Sequence, residues 1–537
     1  MTAPGYRTPP GVGIDHLLRR AAKVHPERIA LRDDEGAITY GAAEMQASRL
    51  AAWLAAPANG APRVRKADRA AIILPNGIPF IVAELALLRR GLVKVPLNIR
   101  FAADEVLYAL RDCAPTVLVA TPDYCRRILA RRNEVPSLRT IICVGEAVDG
   151  STPWQAIVEG PPVPPVAAEF YADDDLLLIR YTGGTTGRPK GVVHTHRSYM
   201  AIVLDVVREL AIPHDDVALH LGHLSHGLNF MWPAWYLQGA VQVLRERFDP
   251  AAVWRDFSDQ EITWVYMVPT MIHMLLEAEP GPAAGAIRLR QFMYASAPMP
   301  VPLLRRALDR FGPVFAQVYT LSEAPVITTL LRPEEHSEAA NDIGPRLSSV
   351  GRPVATMDVR LIDDAGLPVP RGQAGEIAVR SVNTMAGYWN LPEETAATLV
   401  DGWLRTGDMA READDGLLHL VDRKKDIVIT GGFNVWPKEV EDVLHRHPAV
   451  AQAAVVGAPD EKWGEIVVAY VVARPGMQVD IDELLGLCRD QLADYKKPRR
   501  VHVIEAMPTT PVGKISRAAL RQMARGASQP ADPSASL

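Results

Sequence analysis

Very little in this sequence could cross-link it or tie it to a membrane. The four cysteines, Cys113, Cys125, Cys143 and Cys488, stand far apart with no Cys-x-x-Cys pair. Neither a disulfide framework nor a thiolate zinc site is expected, and a reducing cytoplasm fits best. No apolar run approaches the roughly 20 residues that cross a bilayer, and the N-terminal MTAPGYRTPPGVG lacks the basic-then-apolar order of a secretory signal. A soluble cytoplasmic protein with no membrane span is expected. An excess of one charge is missing too: 58 basic against 63 acidic residues leave a formal charge of −5, which gives no bulk attraction for nucleic acid or an anionic membrane. An anionic ligand must therefore meet local positive groups.

Apolar material is plentiful. Hydrophobic residues make up 48% and charged residues 23% of 537 positions, the balance of a globular enzyme and too long a chain for a single core. From about Arg69, apolar runs at 70–74, 92–96, 116–120 and 140–144 alternate with helical spacing over 78–90 and 101–114. Strands alternating with helices predict a large α/β part with parallel layers. A smaller α+β unit begins near Asp426, with helices over 437–447 and 480–492 and apolar runs at 450–456, 466–473 and 501–504. A unit of about 110 residues can hold its own core. No fixed-period repeat stands out, and the closing GASQPADPSASL, after about residue 525, reads as a disordered tail.

The segment Tyr181-Thr-Gly-Gly-Thr-Thr-Gly-Arg-Pro-Lys190-Gly191 follows the apolar run 176–179. Gly183, Gly184 and Gly187 let the backbone approach a polyphosphate, the hydroxyls of Thr182, Thr185 and Thr186 can donate to phosphate oxygens, and Lys190 adds positive charge. It is not a Walker P-loop, because GxxxxGK[ST] is absent. Composition alone equally allows a plain glycine-rich turn between strands.

Six further segments follow: His226-Gly227, Ser296-Ala297-Pro298, Gln317-Val-Tyr-Thr-Leu-Ser-Glu323, Gly402-Trp-Leu-Arg-Thr-Gly-Asp408, Asp422-Arg-Lys-Lys-Asp-Ile-Val-Ile-Thr-Gly-Gly-Phe-Asn-Val-Trp-Pro437 and Pro508-Thr-Thr-Pro-Val-Gly-Lys-Ile-Ser-Arg517. With the phosphate loop, and in this order, they resemble the adenylate-forming superfamily of acyl-CoA synthetases, adenylation domains and luciferases. The likeness covers nearly the whole chain. It implies an enzyme that joins a carboxylic acid to AMP at the expense of ATP with Mg²⁺, releases pyrophosphate and passes the acyl group to a thiol. It implies two domains as well, an ATP- and acid-binding one over 1–424 and a mobile catalytic one over 425–537. The chemistry agrees, because joining two anions requires a site that neutralises charge and fixes the nucleotide.

By the same resemblance, Glu323 is a Mg²⁺ ligand, an oxygen donor suited to a hard cation. Tyr319 would stack on adenine with Thr320 beside it, Ser322 would lie near the α-phosphate, and Ser296, Ala297 and Pro298 would complete the nucleotide site. Asp408 would accept hydrogen bonds from both ribose hydroxyls, assisted by Arg423. Lys514 would bridge the substrate carboxylate and the α-phosphate, offsetting charge that builds in the transition state, and His226 is grouped with it as catalytic. Lys425 marks the hinge, and Gly431, Gly432 and Asn434 resemble the loop that reaches the site for the thiol step. Three positions depart from the common pattern: Gly183 replaces serine, Thr320 glycine and Ser322 threonine.

The acid pocket is expected from the stretch 223–232 and from 294–297, with His223, His226, Asn229, Trp232 and Tyr294 as lining residues. An aspartate for an α-ammonium group is missing from the first stretch, so an α-amino acid is disfavoured. His220, His223 and His226 with Asn229 and Trp232 suit an aromatic or polar acid as well as an aliphatic one. No carrier domain follows, and coenzyme A is the favoured thiol. The alternatives are the phosphopantetheine of a separate carrier protein and a relative that adenylates a non-carboxylic acid such as nitrite, an ATP-dependent diazotase. A non-catalytic binder is disfavoured by the joint presence of Lys190, Glu323, Asp408, Arg423 and Lys514, charges that bring no stability of their own.

Overall fold

A computed structural model describes residues 13–58, 61–161, 163, 172–182, 189–278, 287–339, 346–423, 426–431, 433–460, 462–510 and 514–526. The predicted tail lies almost wholly outside them.

The apolar runs form an eight-stranded sheet whose centre is parallel: Leu176–Thr182, Val93–Pro96, Arg69–Ile73, Val117–Ala120 and Thr140–Cys143 are neighbours in that order. Val93–Pro96 and Val117–Ala120 are buried at every residue, as strands covered on both faces must be. A nine-stranded sheet carries Phe315–Tyr319, Gln291–Tyr294, Trp264–Met267, Val217–His220 and Val241–Leu244. Between the two lie Tyr40–Ala55, Ile78–Arg89, His196–Glu209 and Trp232–Leu237, whose apolar residues join those of both sheets in one core. Ile78–Arg89 is buried at all ten positions from 80 to 89, so it reads as apolar all round. His196–Glu209 starts at a capping box, in which the Thr195 hydroxyl accepts from the Ser198 amide and the Ser198 hydroxyl accepts from that of Thr195.

Beyond a two-stranded pair, Pro57–Ala58 with Ala61–Pro62, two five-stranded sheets complete the described residues. The third is antiparallel and is built from Asp358–Ile362, Ala374–Arg380, Trp403–Glu412, Leu399–Val400 and Leu418–Arg423. The fourth comprises Phe433–Val435, Val428–Thr430, Gly464–Ala473, Val450–Asp460 and Arg500–Val503, with a separate apolar core on each face. The helix expected over 437–447 ends earlier, as Pro437–Leu444. Pro448 disfavours helical backbone at His447 and stops it. Among the described residues no helix is long and apolar enough to cross a membrane, and all four cysteines are buried without a disulfide.

Burial sets an acid limit on stability. It pushes the imidazoles of His196, His220 and His336 down to about 4 and that of His194 to about 3. At pH 5 these rings are neutral in the folded chain and charged in the unfolded one, whose histidines titrate near 6.5. Their contribution is complete above about pH 6.5 and is lost as pH falls towards 4, at up to about 1.4 kcal/mol per pH unit for each ring. The urea midpoint should therefore drop steeply between pH 7 and 5. A midpoint that is flat or rises over that interval contradicts this account.

Candidate active site

The strand Leu176–Thr182 turns back into Lys190–Thr195, with Thr182 opposite Lys190 and the Thr182 hydroxyl donating to the Lys190 carbonyl at 3.4 Å. The connecting residues Gly183, Gly184, Thr185, Thr186 and Gly187 lie outside the described residues. Gly191 has a packing reason to be glycine: a Cβ there would come within 2.8 Å of Ile179 Cγ2 and 3.1 Å of Trp389 Cβ. The Lys190 ammonium pairs with Glu394 and lies 5.1 Å from the centre of the Tyr388 ring. On its other side the Tyr388 hydroxyl donates to Glu323 Oε1 at 2.9 Å. Tyr388 thus links the predicted phosphate lysine to the predicted metal ligand.

Glu323 sits in the turn that leaves Phe315–Tyr319, where Val326 adopts φ +72°. That value is costly for a β-branched residue and marks a strained, over-determined turn. The Thr320 hydroxyl accepts from the Val326 amide at 2.8 Å, which gives the departure at position 320 a job. The turn after Gln291–Tyr294 is strained too: Ser296 has φ +73° and its hydroxyl lies 2.8 Å from that of Tyr266, with Ala297 and Pro298 following it. The Ser322 carbonyl accepts from His194 Nε2 at 3.1 Å. The Tyr319 ring belongs to the core shared by the large sheets, while its hydroxyl donates to Asp408 Oδ2 at 2.7 Å. Asp408 stands directly opposite Arg423 in the third sheet. The expected adenine and ribose residues are therefore neighbours.

The segment expected to bind the acid forms a 3₁₀ turn over Gly227–Phe230. His223 and His226 are partly exposed at its start. Burial, aided by Arg100, pushes the His223 imidazole down to about 4. Burial lowers that of His226 as well, helped by the charges of Arg180, Lys514 and His223. Three other expected lining residues turn out to have their polar groups occupied. Asn229 Nδ2 and Trp232 Nε1 donate to the buried Glu84 at 2.7 and 2.9 Å. Glu84 also pairs with Lys94 at 3.0 Å, and burial lowers the Lys94 ammonium against that pairing. The Tyr294 hydroxyl is engaged by Gln317 and His336, each at 3.0 Å. A buried polar side chain must satisfy its donors locally, and these three do so within the core. Their donors are therefore spent on the protein itself.

Lys514 closes a short hairpin in which Thr509 bridges Ile515 and the Thr510 amide donates to the Lys514 carbonyl at 2.7 Å. It lies far along the chain, yet its charge reaches His226. Arg180 completes the link: its Nη1 donates to the His226 carbonyl at 3.3 Å, and Glu323 acts on its charge. Glu323, Arg180, His226 and Lys514 thus form one neighbourhood drawn from four distant stretches. Lys425 and Gly432 are outside the described residues. Gly431 has φ +56° and faces Trp463, which a Cβ would meet at 2.8 Å; Asn434 stands opposite Ile429 in the adjoining hairpin. Sequence reasoning passed over Tyr388 and Arg180. Only the Gly-Tyr-Trp triplet at 387–389 and a lone charge in an apolar strand could have drawn notice.

Layered α/β sheets with strained turns at Ser296 and Val326, and a lysine from near the end of the chain whose charge acts on His226, fit the adenylate-forming class of enzyme. The chain belongs to the AMP-binding enzyme family, whose model matches residues 18–389, while that of the AMP-binding enzyme C-terminal domain matches 439–514. It is 36% identical over 522 residues to the medium/long-chain-fatty-acid–CoA ligase FadD8 of Mycobacterium tuberculosis, covering 94% of this chain and 89% of that one. It is 36% identical over 516 residues to a feruloyl-CoA synthase of an Amycolatopsis species, covering 95% and 99%. Among solved structures, the anthranilate CoA ligase AuaEII in complex with anthranoyl-AMP superposes with a TM-score of 0.87 at 26% identity, covering 97% of this chain and 99% of that one.

Proposed function

We propose that this AMP-forming acid–thiol ligase joins a carboxylic acid to the α-phosphate of ATP, releases pyrophosphate, and transfers the acyl group to coenzyme A. The observation that carries this reading is that the charge of Lys514 acts on His226, whose carbonyl accepts from Arg180, on whose charge Glu323 acts in turn. A cation brought to this site from the far end of the chain can stabilise negative charge that develops there in the transition state. In this reading Lys190 and the loop before it hold the β- and γ-phosphates, Asp408 and Arg423 the ribose, and Tyr319 fixes Asp408 through its hydroxyl. His226, kept neutral by its surroundings, offers a hydrogen bond to the acid without competing for its charge.

The donor set fits Mg²⁺. Glu323 Oε1 is held by Tyr388, its Oε2 carries no hydrogen bond among the described residues, and no third His, Cys, Asp or Glu gathers there to build an all-protein cage. Mg²⁺ is commonly bound in this way, through one carboxylate with substrate phosphates supplying the rest. Bound there, it would neutralise phosphate charge.

The boundary we assign runs between the third and fourth sheets, with 1–424 binding ATP and acid and 425–537 turning about Lys425. The buried, disulfide-free cysteines suit a reducing cytoplasm. The test is incubation with ATP, Mg²⁺, coenzyme A and a panel of ferulate, indole-3-acetate, octanoate and palmitate. Acyl-CoA, AMP and pyrophosphate in equal amounts are expected with at least one acid, and none after chelation with EDTA. Product only on a phosphopantetheine carrier protein would reassign the acceptor; ADP with phosphate would overturn the reaction.

A further inference from the structure

Arg180 is a buried charge with no ion pair among the described residues. It lies on the strand Leu176–Thr182 two residues before the phosphate loop and is 3% exposed. Among the described residues it makes a single hydrogen bond, from Nη1 to the His226 carbonyl, and its Nε has no partner. Its guanidinium lies 4.9 Å from the centre of the Phe230 ring, within the turn expected to bind the acid. Among the described residues Glu323 acts on its charge, and that carboxylate accepts from Tyr388 and, in the proposed reaction, would hold Mg²⁺. Burying an unpaired guanidinium costs several kcal/mol. Among the described residues that cost is met only in part, by the His226 carbonyl, the Phe230 ring and the charge of Glu323, which leaves Arg180 able to gain from an anionic ligand.

Two anions come to this neighbourhood. The polyphosphate already has Lys190, the loop and the metal. The acid carboxylate has one cation in the proposed reaction, Lys514 on the hairpin that follows the fourth sheet. Arg180 faces the His226–Phe230 turn, on the acid side. We propose that Arg180 is the ground-state anchor of the substrate carboxylate: it receives the acid anion on the large sheets, and Lys514 then acts on the charge that builds as the carboxylate attacks the α-phosphate. This rests on the function proposed above. The two cations divide the work. Loss of Arg180 weakens acid binding, whereas loss of Lys514 slows the chemical step.

The experiment compares an acid with its neutral analogue. Full-length wild type, Arg180→Met and Arg180→Gln are assayed by ATP–pyrophosphate exchange with the best acid of the panel, and its primary amide is used as a competitive inhibitor. Removing a buried, charge-assisted hydrogen bond is expected to raise KM for the acid about tenfold to a hundredfold. KM for ATP and Ki of the amide should stay within about threefold, because neither depends on the anion. The ligand-free variants should melt no lower than the wild type, since a buried charge compensated only in part has been removed. Should Arg180→Met fail to fold, Arg180→Gln carries the same comparison. Acid KM and amide Ki moving together, or neither moving, overturns the assignment and leaves Arg180 a structural residue. A wild type that exchanges with no acid overturns the proposed function and this inference with it, whereas an active wild type with unselective Arg180 variants removes only this one.

Discussion

Replacing Lys514 with alanine should lower acid-dependent adenylation at least about a hundredfold, the usual loss when one preorganised charge donor is removed from a transition state. The structure gives the reason. Lys514 closes the Thr509–Ile515 hairpin, and its charge reaches His226, which lies 46 residues beyond Arg180 and 288 before Lys514 in sequence. The attacking carboxylate and the α-phosphate are both anionic, and their repulsion is greatest as the new bond forms. An ammonium between them then stabilises the transition state more than either ground state. Thioester formation from supplied acyl-adenylate has no such pair of anions to join, so the variant should retain it. Equal losses in both half-reactions would remove Lys514 from the role proposed.

The second large effect is expected at the hinge. The charge of Lys514 acts on His226, and that of Arg474 on Glu277 and His273 of the helix Pro269–Glu277; in the proposed reaction this is the adenylating arrangement. Gly431 and Asn434 sit on the fourth sheet, and in the proposed reaction they serve the thiol step. In that proposal Lys514 and this loop take turns at one site, and the small unit turns between the steps. Proline at 425 fixes φ near −65° and removes a backbone donor. Lys425→Pro should therefore leave pyrophosphate exchange within about tenfold of wild type while abolishing most thioester formation, a loss of several kcal/mol in one step only. Equal losses would indicate misfolding or a shared role, and no loss would take the hinge out of the mechanism.

Much of this was legible in the chain. Runs such as 116–120 and 140–144 became strands within a residue of the expected bounds, Val117–Ala120 and Thr140–Cys143, because central parallel strands are apolar on both faces. The third sheet was not read. Its longest strand, Trp403–Glu412, mixes buried and half-exposed residues and includes the Gly407–Asp408 motif, so no local period betrays it. Nor does local pattern say that Ile29–Arg32 pairs with Val241–Leu244, more than two hundred residues on. At the site, charged residues in punctuated motifs stood out and were brought together. That Asn229 and Trp232 direct their donors at Glu84 was not legible, because Glu84 is a buried glutamate inside a largely apolar helix far away in sequence. Arg180 was missed for a similar reason. A lone charge in a strand declares itself only when it is seen to have no ion pair among the described residues.

The most direct test of the central claim omits the thiol. Wild-type protein with ATP, Mg²⁺ and labelled pyrophosphate, but no coenzyme A, should return label to ATP only when a competent acid is present, because exchange requires reversible formation of the acyl-adenylate. Label returning at the same rate without any acid, or no exchange with any acid while ADP accumulates, would contradict it.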